Sequence, residues 1–480
     1  MIQDRKQFLR LAGLFLFALA IHLAGTWILP LVDRDETWYA EVSREMNQRG
    51  DYIVAYFNNG FWLEKPPMLY WCQSAAYKIF GANEFAARFP AALAAALTAL
   101  VIFGFCTRLY GRRIAWRAAF AFTLCFEMII FGKAGVTDMP AVLFVTLAAW
   151  AGWELVGTAD ASIVSASGVS KTGWWWIFYI SLAAAFLAKG PVAVLPVGGL
   201  LVYGRWARVP GIFRVMKFGR GFAVTGVLVA LWFVPAVIET QGEYFKIFIG
   251  QQVLNRTVNP MDGHGGSNLL MYVATLPFYL VTVLALFFPW SIYFPGAIRR
   301  FKRERSPADI YLVSGILVTF TLFSLVRTKL PHYTLPAFPL IACAVAPVLS
   351  NVRFLRWAIV MVVLNLTVAF IAFPLAVKYS VMNRLANDPA VRSDMAFASV
   401  DYHEPSLIWN FRKHLRTWDV NLKTADVENY MNQNGPRLCI LPSKSMSQIT
   451  VAPEWQVVNA RGFNITRGRM IDVSMLVKSR

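Results

Sequence analysis

Charge is scarce in this chain, and what there is leans one way. Only 15% of the 480 residues are Asp, Glu, Lys or Arg, with 46 basic against 27 acidic, while 57% are hydrophobic. A soluble globular chain could not cover that much apolar surface, so that class is excluded at the outset. Cysteine is also sparse: Cys72, Cys106, Cys125, Cys343 and Cys439 lie mostly in apolar segments, and none makes a CxxC spacing. This argues against a disulfide framework and against a cysteine metal site. No period of twenty to fifty residues repeats, which excludes a solenoid. Glycine-rich loops of the GxGxxG or P-loop kind are absent from the positions where a nucleotide cofactor would need them.

What is present is a succession of apolar runs, each near the length of about 20 residues needed to cross a bilayer core. About eleven are counted, at 8–31, 89–109, 116–132, 140–156, 174–188, 192–203, 222–238, 269–294, 310–326, 333–349 and 357–377. The first is too long for a removable signal peptide and lacks a small-residue cleavage site, so it is read as a permanent anchor. Basic residues gather after the second run (Arg108, Arg112, Arg113, Arg117), after the sixth (Arg205, Arg208, Arg214, Lys217, Arg220) and after the eighth (Arg299, Arg300, Lys302, Arg303, Arg305). Lys and Arg resist translocation, so these loops are cytoplasmic, and the loops 33–88, 133–138, 239–268 and 327–332 face the exterior. The net charge of +19 follows from this topology and from anionic membrane lipids; its clusters lack interleaved aromatic platforms, so no nucleic-acid partner is expected. The expectation is a polytopic α-helical membrane protein, residues 1–377, carrying a small exterior α/β domain at 378–480. In that domain, strands are expected at 395–400 and 438–441, helices at 405–414 and 427–434, and a strand pair at 455–478.

The first exterior loop is unusually charged. Asp33 followed by Glu36 has the form of a capping box, and Trp38, Val42 and Met46 then recur on one helical face, predicting an amphipathic helix on the bilayer surface. Gly50 ends it, Asn58-Asn59-Gly60 is turn chemistry, and Glu64-Lys65-Pro66-Pro67 holds a carboxylate and an ammonium on a stiff backbone.

Ionisable residues beside a bilayer tend to mark a polar cavity, and on the exterior face they accumulate. Asp35, Glu64 and Lys65 come from the first loop, Asp138 opens the fourth run, Lys189 closes the fifth, Arg256 and His264 lie in the fourth exterior loop, and Lys329, His332 and Tyr333 precede the tenth run. Each has a plainer reading. Asp35 and Asp138 have the positions of helix caps, Glu64-Lys65 of a local surface pair, Lys189 and Lys329 of snorkelling lysines, Arg256 and His264 of loop residues. Glu127, deep in the third run, would pair with Lys133. The sharper reading rests on acids and bases sharing one face.

Several ordered motifs carry a resemblance. Residues 35–46 (DETWYAEVSREM), Gly50-Asp51-Tyr52, Glu64-Lys65-Pro66-Pro67 with Tyr70-Trp71, Phe80-Gly81, Arg88-Phe89-Pro90, Thr137-Asp138-Met139-Pro140, Lys189-Gly190-Pro191 and residues 329–336 (KLPHYTLP) occur in sequence order. Together they resemble the GT-C glycosyltransferases, and most of all the lipid A aminoarabinose transferase family and its dolichyl-phosphate-mannose-protein mannosyltransferase-like relatives. Where the aminoarabinose branch often has Arg, three residues after Asp35, this chain has Trp38.

The resemblance implies an inverting glycosyltransferase on the periplasmic face of a bacterial inner membrane. It would use a polyprenyl-phosphate-linked sugar donor, such as an undecaprenyl phosphate, no nucleotide, and a lipid, glycan or protein acceptor. It casts Asp35, Asp138, Glu64 and Lys65 as the catalytic set, Lys189, Arg256, Lys329, His332 and Tyr333 as contacts to the donor phosphate, and Glu64 with Asp35 or Asp138 as holders of a divalent metal ion. A polytopic lipid or solute transporter would also gather charge around a cavity, but it would show paired repeats and broken midplane helices; a protein O-mannosyltransferase would share fold and mechanism with another acceptor.

Overall fold

The computed structural model describes residues 2–157, 169–255, 257, 269–402, 404–464 and 468–479; Arg256 and His264 lie outside the described residues. The chain is mostly helical and divides into two compact units.

The first unit comprises Met1–Ala24, Leu63–Leu69 and Arg88–Asn365. Among the described residues, seven helical stretches are long and apolar enough to cross a membrane, and a further pair, Leu270–Leu286 and Trp290–Glu304, is bent by 109°. The sequence leads one to expect about eleven, and the difference lies in where helices break. Residues 116–132 form two helices, Arg112–Thr123 and Phe126–Phe131, interrupted at Leu124 and Cys125. Residues 333–349 carry Pro336, Pro339 and Pro347, which remove backbone donors, and they divide into a 3-10 turn over Pro331–Ala337 and the helix Phe338–Val345. The stretch Lys171–Trp206 is continuous in helical residues but reverses direction at Gly190–Val194. Both of its halves run along the helix Asp138–Val156. Trp174 lies 5.1 Å from Trp150 by ring centroids while Lys189 meets Asp138, so the first half is antiparallel to that helix; Tyr203 lies 6.2 Å from Trp153, so the second half returns.

The helix Asp138–Val156 is the most enclosed, with 83% of its apolar window buried against 17% for Ile212–Glu239. Small residues allow close approach around it. A Cβ on Gly199 would stand 2.9 Å from the Cα of Gly315, so the helices Leu195–Trp206 and Pro307–Leu325 touch backbone to backbone, as small residues permit between membrane helices.

The second unit comprises Gly25–Trp62, Tyr70–Ala87 and Leu366–Arg480. A short hairpin of β1 (Tyr56–Phe57) and β2 (Gly60–Phe61) turns through Asn58 and Asn59, both at positive φ, as a two-residue hairpin turn demands. The C-terminal sheet contains β3 (Ala396–Val400), β4 (Asp419–Leu422), β5 (Arg437–Pro442), β6 (Gln456–Asn464) and β7 (Arg469–Lys478), in the order β4-β3-β5-β7-β6. β3 runs parallel to β4 and β5, and β7 antiparallel to β5 and β6. Side chains alternate between two faces with the period of a strand. Phe397, Leu438, Ile440, Met475 and Val477 enter one apolar cluster, and Ala398, Val400, Cys439, Leu441 and Leu476 enter another. The expected strands and helices of this domain are found; β4 is additional, a four-residue edge strand whose Val420 is half exposed and which has no apolar alternation to announce it.

The first-loop helix forms as expected, from Asp35 to Arg49, and Gly50 ends it at φ 71°. Two expectations about it are corrected. It is enclosed by protein and not laid open on a surface: of the eleven residues from Glu36 to Met46, ten are buried and only Trp38 is not. Ser43 donates to Gln73 at 2.7 Å and Tyr77 to the Ala40 carbonyl at 3.1 Å on one side, while Arg412 donates to Glu41 at 2.5 Å on the other. The capping box is not made either. Asp33 instead accepts from the backbone N–H and hydroxyl of Ser406, both at 2.7 Å, and Glu36 accepts from the Val32 N–H at 2.9 Å.

Candidate functional site

Within the first unit, the chain brings a buried acid to a half-buried base. Asp138 is the first residue of its helix, and Lys189 is the last residue of the neighbouring antiparallel one, so the two termini meet. Lys189 Nζ lies 2.5 Å from Asp138 Oδ1. An acid at a helix N-terminus and a base at a C-terminus both complement the helix dipoles, which is one reason the pair can sit where neither side chain is more than 19% exposed. Directly after Lys189, Gly190 adopts φ 65°, and a Cβ there would come 2.9 Å from the Phe248 ring; the sharp reversal therefore calls for glycine.

Other groups converge on this pair. Lys189 Nζ stands 5.6 Å from the centre of the Tyr333 ring, a cation–π distance. His332 and Lys65, like Lys189, are placed to act electrostatically on Asp138. His332 packs at 4.7 Å on Phe131 and 5.3 Å on Tyr333. Lys65 sits in the Glu64-Lys65-Pro66-Pro67 segment, whose backbone is fixed by Tyr244 donating to the Lys65 carbonyl at 2.5 Å. Five of the expected residues, Lys65, Asp138, Lys189, His332 and Tyr333, are thus brought together from four separate stretches of chain. Glu64 is half-buried in the same unit.

Lys329 has a different position. Its ammonium donates to the carbonyls of Phe323, Ser324 and Val326 at 3.1, 2.5 and 2.6 Å, so its three N–H bonds close the end of the helix Pro307–Leu325. Asp35 belongs to the second unit, where it opens the helix Asp35–Arg49.

Glu127 is the residue that the sequence undervalues. The expected partner, Lys133, donates instead to the carbonyls of Ile21 and Ala24 at 2.8 and 2.6 Å. Both Glu127 oxygens are buried without a hydrogen-bond partner among the described residues, and the charges acting on them are Asp138 and Lys189. A carboxyl placed in an apolar run was the available signal.

Among the described residues, no three His, Cys, Asp or Glu side chains converge in a way that could hold a metal ion. Glu64 and Asp35 also fall in different units. The described residues do not make a protein cage for the expected divalent ion.

Residues 64–238 match the dolichyl-phosphate-mannose-protein mannosyltransferase family. An undecaprenyl phosphate-alpha-4-amino-4-deoxy-L-arabinose arabinosyl transferase of Edwardsiella ictaluri is 31% identical over 345 residues, covering 69% of this chain and 58% of that protein. The same-named protein of Aeromonas hydrophila is 30% identical over 69% of this chain and 59% of its own length. The chain therefore spans less than two thirds of these relatives. Among solved structures, ArnT from Cupriavidus metallidurans bound to undecaprenyl phosphate superposes with a TM-score of 0.79 at 20% identity, over 96% of this chain and 97% of that one. The fold of this chain is accordingly the polytopic GT-C fold of ArnT, and its sequence resembles the aminoarabinose transferases and their mannosyltransferase-like relatives.

Proposed function

We propose that this protein is an inverting glycosyltransferase. It moves a sugar from an undecaprenyl phosphate carrier to a lipid or glycan acceptor at the periplasmic face of the inner membrane. The membrane part, 1–377, carries the chemistry, and 378–480 stands on the periplasmic side. The observation that carries this reading is the buried Asp138–Lys189 pair, met by Lys65, His332 and Tyr333 in a chain with the ArnT fold.

The chemistry asks for these residue types. Displacing a sugar from a phosphate carrier develops negative charge on the departing phosphate, which preorganised cations stabilise in a site of low dielectric. Lys189 and Lys65, with His332, supply those cations, and Tyr333 supplies a hydroxyl and a ring that holds the Lys189 ammonium in place. The acceptor hydroxyl must lose a proton as it attacks from the opposite face, a task for a carboxylate; Asp35, Glu64 and Asp138 are the candidates. Arg256 adds a further cation for the phosphate. Lys329 acts on the fold, since its donors are already occupied. No nucleotide is needed, because the carrier lipid delivers an activated sugar.

The names of the relatives make undecaprenyl phosphate-linked 4-amino-4-deoxy-L-arabinose the first donor to try, with lipid A as acceptor. The purified protein in proteoliposomes should transfer the sugar with release of undecaprenyl phosphate. Envelope lipids and glycans from cells with and without the protein, compared by mass spectrometry, should differ by one sugar. If no sugar-bearing species changes and no tested polyprenyl-phosphate sugar is turned over, the reading falls.

A further inference from the structure

A pocket of about 350 Å³ lies within the second unit, in the size range of small-ligand sites, and none of the residues assigned above lines it. One wall is the chain leaving the first helix, Leu29–Asp33. Another is the end of the last membrane-crossing helix and the turn after it, Ala376 and Tyr379. The third is the β6–β7 end of the sheet, with Phe463, Asn464 and Met470. These walls are bonded to one another: the Phe463 N–H donates to the Tyr379 carbonyl at 3.1 Å, and Arg384 donates to the Arg461 carbonyl at 3.2 Å.

Two features say what the pocket would take. Its level is that of the lipid headgroups. The helix Asn351–Val377 is apolar enough to cross the membrane and ends at the pocket, and large apolar and aromatic side chains of the lining stand exposed: Tyr379 at 54%, Phe463 at 44% and Met470 at 42%. Aromatic side chains of this kind mark the membrane–water interface. Its charge is the second feature. Among the described residues lining it there is no Lys, Arg or His, and the one acidic side chain is Asp33, held at the polar end by Ser406. A phosphate placed against that carboxylate would find repulsion and no cation. An ammonium would find the opposite charge, while the apolar walls accept a hydrocarbon chain.

We propose that this pocket binds an acyl lipid of the surrounding bilayer through one hydrocarbon chain, with an amine-bearing headgroup directed to Asp33, and that it is distinct from any site for the phosphate-headed donor.

The test uses the full chain in nanodiscs of phosphatidylglycerol. A minor component of phosphatidylethanolamine carrying a photoreactive acyl chain is added, or phosphatidylglycerol carrying the same chain. Adducts should map to 376–382, 463–464 and 470–471, at least about tenfold more with the ethanolamine headgroup, a preference equal to one decade in affinity. Met470→Trp and Ala376→Trp, two exposed positions that fill the pocket from opposite walls, should each abolish those adducts while leaving labelling of the exposed Leu231 face intact. Asp33→Asn should keep the adducts and erase the headgroup preference. Adducts that persist in both filled variants, equal labelling by the two headgroups in the native protein, or displacement by undecaprenyl phosphate as readily as by phosphatidylethanolamine would each overturn the proposal.

Discussion

Lys189 and Asp138 show how a functional residue can also be structural, and how the two roles can be separated. Removing one member of a buried pair leaves the other desolvated and unpaired, which costs about 3–5 kcal/mol, whereas neutralising both together is often nearly neutral for stability. Lys189→Ala should therefore lower the thermal midpoint and abolish sugar transfer. The double variant Asp138→Asn/Lys189→Gln should regain most of the midpoint and remain inactive. Recovery of transfer in the double variant would assign the pair to folding alone. At this same scale the sequence was only partly readable. The motif residues that meet at Asp138 were legible because acids and lysines at helix ends in an apolar chain stand out. The fate of Asp33 was not: its carboxylate is taken by Ser406, 373 positions away, and no local pattern encodes so distant a partner. Lys133 misled for a similar reason, since nearness in sequence to Glu127 gave way to two free carbonyls at the end of the first helix.

The helix Asp35–Arg49 is held by charge on its far side, and this makes its stability depend on pH. Glu45 accepts from the N–H groups of Asn58 and Asn59 at 2.5 and 3.3 Å, and Arg412 spans Glu41, Gln48 and Glu45, with its guanidinium 3.6 Å from the centre of the Trp418 ring. Burial, then the neighbouring Glu41, push the Glu45 carboxyl up to about 7, against which Arg412 and the two N–H groups pull. The folded chain thus holds this proton more tightly than the unfolded one. The Glu45 contribution to stability is fully present below the ordinary carboxyl range and is lost as pH rises through about 7. Thermal unfolding of Glu45→Gln should show a flatter decline between pH 4.5 and 7 than the native chain; parallel curves would remove Glu45 from the pH response. Packing gives a second element-scale expectation. Gly199→Ala should destabilise by about 1–3 kcal/mol, as overpacking against backbone does, while Gly226→Ala, whose Cβ meets nothing within 4 Å, should show no such loss. Equal midpoints for the two would contradict the close helix contact. Elements of strong period, the long apolar helices and β5, were readable from sequence, and so was the break at Gly190, where glycine and proline separate two apolar runs; the edge strand β4 and the break at Leu124 were not, because each is decided by neighbours and not by its own residues.

For the molecule as a whole, the bonds inside each unit constrain how many times the chain crosses the bilayer. In the second unit, Asn58 and Asp419 exchange two hydrogen bonds, Nδ2 to the carbonyl at 3.0 Å and the N–H to Oδ1 at 3.1 Å. The first loop and the C-terminal sheet must then lie on one side, so the number of crossings between them is even. In the first unit, Lys65 and Asp138 act on each other, so the chain between them also crosses an even number of times. The helix Glu84–Tyr110 is one crossing, and the broken pair Arg112–Thr123 and Phe126–Phe131 must together supply the return. The reversal at Gly190 likewise makes two crossings of Lys171–Trp206. Counted this way, the interrupted segments restore the parity that a count by helix length misses, and they put the basic residues 299–305 on the side opposite Lys65. Single cysteines at Asn59, Lys302 and Lys378, labelled from outside with an impermeant maleimide in a background stripped of native cysteines, should react at Asn59 and Lys378 and be protected at Lys302. Labelling of Asn59 and Lys302 together would break the parity, and with it the assembly of Lys65, Asp138, Lys189 and His332 at one face of the membrane.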